Sequence, residues 1–171
     1  TSEELAKLST KFSHHVLDAT NQWSLLLTKQ SEVKGLPERA LEILANASKE
    51  AGDKQSNGED PTSKKGPWRL GLDMPRYMPF MAYGMNRSIR EKLYKSFVSR
   101  ASFGNLNNEP VIDEILNLRM QQANCLGYRH WADVSLANKM AKSTEAVEKL
   151  LEELRQAALP IARRELKELK E

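Results

Sequence analysis

At 171 residues the chain has room for one ordinary domain with its own core, and too little for two comfortable ones. Its 40% hydrophobic and 29% charged residues suit a soluble globular fold, and no apolar run approaches the roughly 20 residues of a membrane span, so no membrane partner is expected. Lys+Arg 26 against Asp+Glu 23 leaves +3, with the signs interleaved as on solvated helix faces rather than massed into a nucleic-acid footprint, so no nucleic acid is expected either.

The opening "TSEELAKLST" has no basic region followed by an apolar block, so no secretory signal is visible in these residues, although a removed transit peptide would leave no trace. Leu5, Leu8, Phe12, Val16, Ala19 and Trp23 recur at three and four residues and predict a first helix with one apolar face. In "WSLLLT" that period is lost and a short strand is expected before the turn at Gly35. "GLPERALEILANASKEAG" predicts a second helix, with Pro37 at its start, Leu41, Leu44 and Ala47 on its apolar side and Gly52 as its stop. Residues 53–66, "DKQSNGEDPTSKKG", are polar or turn-forming throughout and are expected to be a mobile surface loop inside one domain.

After the loop, Trp68, Leu70 and Leu72 alternate at the period of a half-buried strand, which predicts an antiparallel ribbon between Trp23–Thr28 and Trp68–Asp73. "MPRYMPFMAYGMN" is rich in Met and aromatics and predicts a short helix whose side chains fill the core; a peptide groove is the less common use of such side chains. Ile89, Leu93, Phe97 and Ala101 form the stripe of a further helix ended by the polar turn Gly104 to Asn108. Ile112, Ile115, Leu116, Met120, Ala123 and Leu126 form the next, which Gly127 stops in a left-handed turn. Tyr128 and Trp131 are expected to fold back over it, with a short helix in "HWADVSLANKMA". Ser143 caps a long final helix with Glu145 in its first turn and Pro160 inside it. The fold class is therefore mainly α: about six helices and one short two-stranded antiparallel ribbon. The final helix runs to Glu171 without a Gly cap or a terminating Pro, as a cut through a larger protein would leave it.

Candidate chemistry is sparse. His14 and His15 are adjacent, so on a helix they point about 100° apart and cannot form the i, i+4 pair that chelates zinc. His130 and Asp133 read as a helical hydrogen-bond pair. Cys125 cannot form an internal disulfide, which suits a reducing compartment, and is expected to be an inert buried thiol. No phosphate loop, CxxC or nucleophile elbow occurs, and "RRELKELKE" reads as a solvated face. No catalytic, cofactor-binding or metal-binding residue is assigned.

The order "KFSHHVLDATNQW", "GLPERAL", "LDMPRYMPFM", "REKLYKSFVSRAS", "EILNLRMQQANCLGYRHWADVSLANKMAKS" and a closing helix with Pro160 resembles the amino-terminal part of the thimet oligopeptidase and oligopeptidase A family of zinc metallopeptidases. The wording of "VLDATNQW" and "YKSFVSRAS" resembles the oligopeptidase A branch of bacteria and of plant organelles and cytosol. The resemblance implies a parent enzyme that cleaves short peptides, targeting peptides among them, in a channel between two helical halves. It also implies zinc held by a HEXXH helix and a later Glu. This chain contains no HEXXH, so no catalytic position carries over and no cofactor is expected in the segment itself.

The leading expectation is a single helical domain over residues 1–171, the amino-terminal, non-catalytic channel wall of a zinc oligopeptidase. Its expected partners are short peptides and the missing catalytic half, with self-association through uncovered apolar faces such as Leu150, Leu154 and Ile161. The alternative is a naturally truncated, non-catalytic relative acting as a protein- or peptide-binding module; an independent enzyme using His130 is the weakest reading. The expected location is cytoplasmic or organellar, in a mitochondrion or plastid, and not secreted.

Overall fold

The computed structural model describes residues 2–170. In chain order the elements are α1 (Ser2–Gln22), β1 (Ser24–Leu27), α2 (Glu38–Glu50), β2 (Trp68–Gly71), α3 (Met74–Tyr83), α4 (Arg87–Val98), a 3-10 turn (Gly104–Leu106), α5 (Glu109–Cys125), α6 (Trp131–Leu136) and α7 (Thr144–Glu168). Among the described residues the fold is mainly α, with seven α-helices and one two-stranded antiparallel sheet. The chain divides into two compact units, one of Leu8–Ile112 and the other of Thr1–Lys7 with Asp113–Glu171.

In the Leu8–Ile112 unit, β1 and β2 pair antiparallel with Ser24 opposite Gly71 and Leu27 opposite Trp68. The alternation of Trp68, Leu70 and Leu72 does what its period requires, and all three are almost completely buried. A two-stranded ribbon is marginal by itself in water, so its stability comes from what covers that face. The cover is α2 and α3, whose Leu44 and Phe80 join Leu27, Val33 and Leu93 in one cluster. Each such side chain removed from water contributes about 1.5–3 kcal/mol. Gly35 fits where the turn before α2 meets the end of α3: its φ is +94°, and an added Cβ would lie 2.3 Å from the Tyr83 carbonyl oxygen.

The end of α2 fixes the start of the loop. Gly52, at φ +82°, lets its own amide reach Lys49 O at 3.0 Å and the Asp53 amide reach Ser48 O at 2.9 Å, the paired bonds of a Schellman stop. Asp53 is thereby presented to Arg69, whose Nε and Nη2 donate to its two carboxylate oxygens at 2.9 and 2.7 Å, while Nη1 donates to Ser24 Oγ at 2.7 Å. One guanidinium thus joins the start of the loop after α2 to β2 and β1. Beyond it, residues 53–66 follow a chain of local turns, with Gln55 N donating to Glu59 O at 2.9 Å and Thr62 N to Lys65 O at 2.8 Å. Asp60 sits between Lys49 and Lys54, whose hydrogen bonds hold its carboxyl down at about 2.

In the other unit, α5 ends in a second Schellman stop: the Tyr128 amide donates to Ala123 O at 2.9 Å and Gly127 N to Asn124 O at 3.1 Å, with Gly127 at φ +77°. Trp131 lies with the Arg119 guanidinium 5.7 Å from its ring centroid, and Ser143 Oγ accepts from the Ala146 amide at 3.2 Å to begin α7. The carboxyl of Glu145 is held low, chiefly by its own backbone amide at the helix start and then by Ser143.

Three expectations need correction. The apolar stripe read for α5 is buried only in part: Ala123 is buried and Ile115 half-buried, while Ile112, Leu116, Met120 and Leu126 are exposed, and Val111, outside the stripe, is buried. Cys125 is exposed rather than a core thiol, because it lies on the last turn of α5 beside the exposed Asn124 and Leu126. The Met-rich α3 is core on one side only: Tyr77 and Phe80 are buried, while Met74, Met78 and Tyr83 are exposed. Helical periodicity reports that a face is apolar, not whether another element of the same chain covers it.

The Arg69–Asp53 fork yields a stability prediction. Both side chains are less than a third exposed, and Arg69 holds the Asp53 carboxyl below the usual range, first through its hydrogen bonds. A depressed folded value contributes stability that is present above the ordinary carboxylate pKa of about 3.9 and lost as pH falls through the folded value. Asp53→Asn should therefore lower unfolding free energy at pH 7 by about 1.5–3 kcal/mol in urea denaturation, and the difference from the parent chain should shrink below about pH 4.

Candidate functional site

A cavity of about 660 Å³ opens within the Leu8–Ile112 unit. Its walls come from the end of α1 (Ala19, Gln22) and Trp23 just after it, the last turn of α4 with the residues after it, and the 3-10 turn, with Leu72 among its lining residues. The stop after α4 shapes it. Ala101 takes the left-handed conformation at φ +52°, which costs a non-glycine residue about 1 kcal/mol, and its carbonyl accepts from the Asn108 amide at 2.8 Å. Buried Asn108 in turn donates from Nδ2 to Phe12 O at 3.1 Å, which ties α1 to the start of α5.

Arg100 is the most constrained polar group of this cavity. Its Nε donates to Phe97 O at 2.9 Å and its Nη1 to Thr20 Oγ1 at 3.1 Å, while its guanidinium lies 3.7 Å from the centroid of the Phe97 ring. Phe97 is itself stacked on Tyr77 at 4.1 Å. Among the described residues no carboxylate pairs with Arg100, and none of the residues lining the cavity is acidic. The other lining cation, Lys95, is bonded to Glu91, and that bond lowers the Glu91 carboxyl. Sequence reasoning passed over Arg100; a cation directly after an amphipathic helix looks like a solvated helix end, and only the stacking distinguishes it.

The histidines do not converge with this cavity. His14 is exposed on α1 and His15 half-buried beside it. His130 caps α6: its Nδ1 accepts from the Asp133 amide at 3.4 Å and lies 3.3 Å from Asp133 Oδ2, while Nε2 faces Arg129 Nη2 at 3.3 Å. Among the described residues no group of three His, Cys, Asp or Glu side chains could hold a metal ion. The donors among the described residues do not fit a zinc site, which needs three ligands on a common face. No helix among the described residues is long and apolar enough to cross a membrane.

The long helix α7 contains no buried residue, and Leu150, Leu154 and Ile161 are each about half exposed along one side of it. The sequence pattern of peptidase family M3 matches residues 80–171, more than half of the chain. The chain belongs to peptidase family M3. It is 45% identical over 168 residues to the probable cytosolic oligopeptidase A of Arabidopsis thaliana, covering 98% of this chain and 23% of that protein. Identity is also 45% over 168 residues to the organellar oligopeptidase A, chloroplastic/mitochondrial, of the same plant, with 98% and 20% covered. Against the oligopeptidase A of Escherichia coli it is 37% over 171 residues, with 97% and 23% covered. The chain therefore spans about a quarter or less of the length of these family members, in their amino-terminal part.

The ligand arithmetic predicts the metal content. Dialysed against micromolar zinc and then buffer, the chain should retain well below one equivalent by elemental analysis, and His14→Ala, His15→Ala and His130→Ala should leave that value unchanged.

Proposed function

We propose that this chain is the amino-terminal channel-wall segment of a zinc-dependent oligopeptidase that degrades short peptides, targeting peptides among them, and that the segment is catalytically inactive by itself. The observation that carries the reading is its 36–45% identity to proteins named oligopeptidase A over nearly all of its length. In zinc peptidases the metal activates the attacking water, and a segment without the ligands contributes walls, orientation and exclusion of solvent instead. The uncovered apolar sides of α5 and α7 suit a surface that another part of a larger protein covers, since apolar patches of this kind mark interaction surfaces. The names of the plant relatives support a cytosolic or organellar location.

The test is cleavage of a quenched fluorescent peptide. The isolated chain should give no chelator-sensitive turnover with or without added zinc, and turnover should appear when the remainder of the same open reading frame, carrying HEXXH, is supplied in the same polypeptide. Zinc-dependent turnover by the isolated chain, or a reading frame without HEXXH, would sink the proposal. With its apolar faces uncovered the isolated chain should also self-associate; sedimentation velocity should show dimers or larger species that Leu150→Lys with Leu154→Lys disperse, and a monomer at all concentrations would refute that part.

A further inference from the structure

We infer that the cavity around Arg100 is a binding site for a carboxylate carried next to an apolar or aromatic group. The cavity volume, about 660 Å³, lies in the range of small-molecule sites. Its character is set by Trp23, Leu72, Phe103 and Leu106 as apolar walls, by Ser96, and by one fixed cation.

Fixing that cation is the decisive feature. Arg100 is held on two sides by hydrogen bonds and on a third by the Phe97 ring, which leaves Nη2 without a hydrogen-bond partner among the described residues. An arginine on a free surface must surrender rotamer entropy to bind an anion, whereas this one has already been ordered by the fold. Charge complementarity points the same way. The lining contains no acid, and Lys95 is engaged by Glu91, so Arg100 supplies a positive charge that no neighbouring carboxylate satisfies. A carboxylate accepting from Nη2 would make a charge-assisted bond beside low-dielectric walls. A phosphate would bring a second charge and little to place against Trp23 and Phe103, so the apolar lining favours the carboxylate.

A peptide's free carboxyl terminus with an apolar last residue and a free aromatic acid share this chemistry. The peptide as the carrier rests on the proposed function; the carboxylate site itself does not, so the two can fail separately. The experiment is calorimetric titration of the 171-residue chain with Ala-Ala-Phe as the free acid, with its carboxyl-terminal amide, and with 3-phenylpropionate. The free acids should saturate, and the amide should bind about tenfold or more weakly, as loss of one charge-assisted bond implies. Arg100→Gln should weaken the acids by about the same factor and leave the amide unchanged. Phe103→Ala should weaken all three ligands severalfold; Phe103 is 71% exposed, so that variant keeps its fold and serves if Arg100→Gln does not. Equal binding of acid and amide, indifference to both substitutions, or no saturation at about 10 mM overturns the inference, since that limit corresponds to under 3 kcal/mol of binding. If phenylpropionate binds more tightly than the tripeptide, the carboxylate site stands and the peptide carrier is abandoned.

Discussion

Two strands of four residues cannot hold themselves together in water, so the architecture of residues 8–112 depends on what covers Trp68, Leu70 and Leu72. Because side chains alternate along a strand, committing this face to the core also settles where Arg69 goes: to the other side, at the edge of the ribbon. From there it reaches Asp53, which the Schellman stop after α2 has already placed, and Ser24 on the facing strand. The covering helices and the fork are two consequences of one register. A slip by one residue would bury the guanidinium and expose Leu70, and the loop after Asp53 would lose its anchor.

The same ordering extends to the cavity. Tyr77, buried as part of the cover of β2, stacks on Phe97; Phe97 carries the Arg100 guanidinium; and Arg100 reaches Thr20 on α1. Side chains in contact in this way hold one another in single rotamers, as close packing in a protein interior requires. The cation is rigid because it lies at the end of a chain of packed rings that begins in the core. Ala101, kept in a strained conformation by its bond to Asn108, turns the backbone immediately after it so that Phe103 and Leu106 complete the wall.

The other unit has a different energetic character. Its helices are well capped, at Gly127 and at Ser143, yet α7 buries no side chain and the apolar edge of α5 faces solvent. Local signals specify these helices one turn at a time, while most helical stability in proteins comes from packing an amphipathic face. Strong caps and exposed apolar side chains coexist here because a cap is decided within one turn of the chain, whereas burial is not. Membership of peptidase family M3, in which this chain spans a fraction of its relatives' length, gives that observation a context.

Determined by the sequence alone were the features whose physics is local: the α class, the ribbon and its buried alternation, the glycine stops at Gly52 and Gly127, and the serine cap at Ser143. Backbone geometry and side-chain period depend on residues within one or two turns, so neighbours in the chain suffice to read them. The family resemblance was legible for a related reason, being carried by the order of segments rather than by any single site. Decided only by the tertiary structure were the exposure of Cys125, of one side of α3 and of most of the α5 stripe, and the placing of the Arg100 guanidinium on the Phe97 ring. Burial depends on which element arrives from elsewhere in the chain to cover a face. Arg100 meets Thr20 across 80 residues of sequence, a separation at which no periodicity carries information.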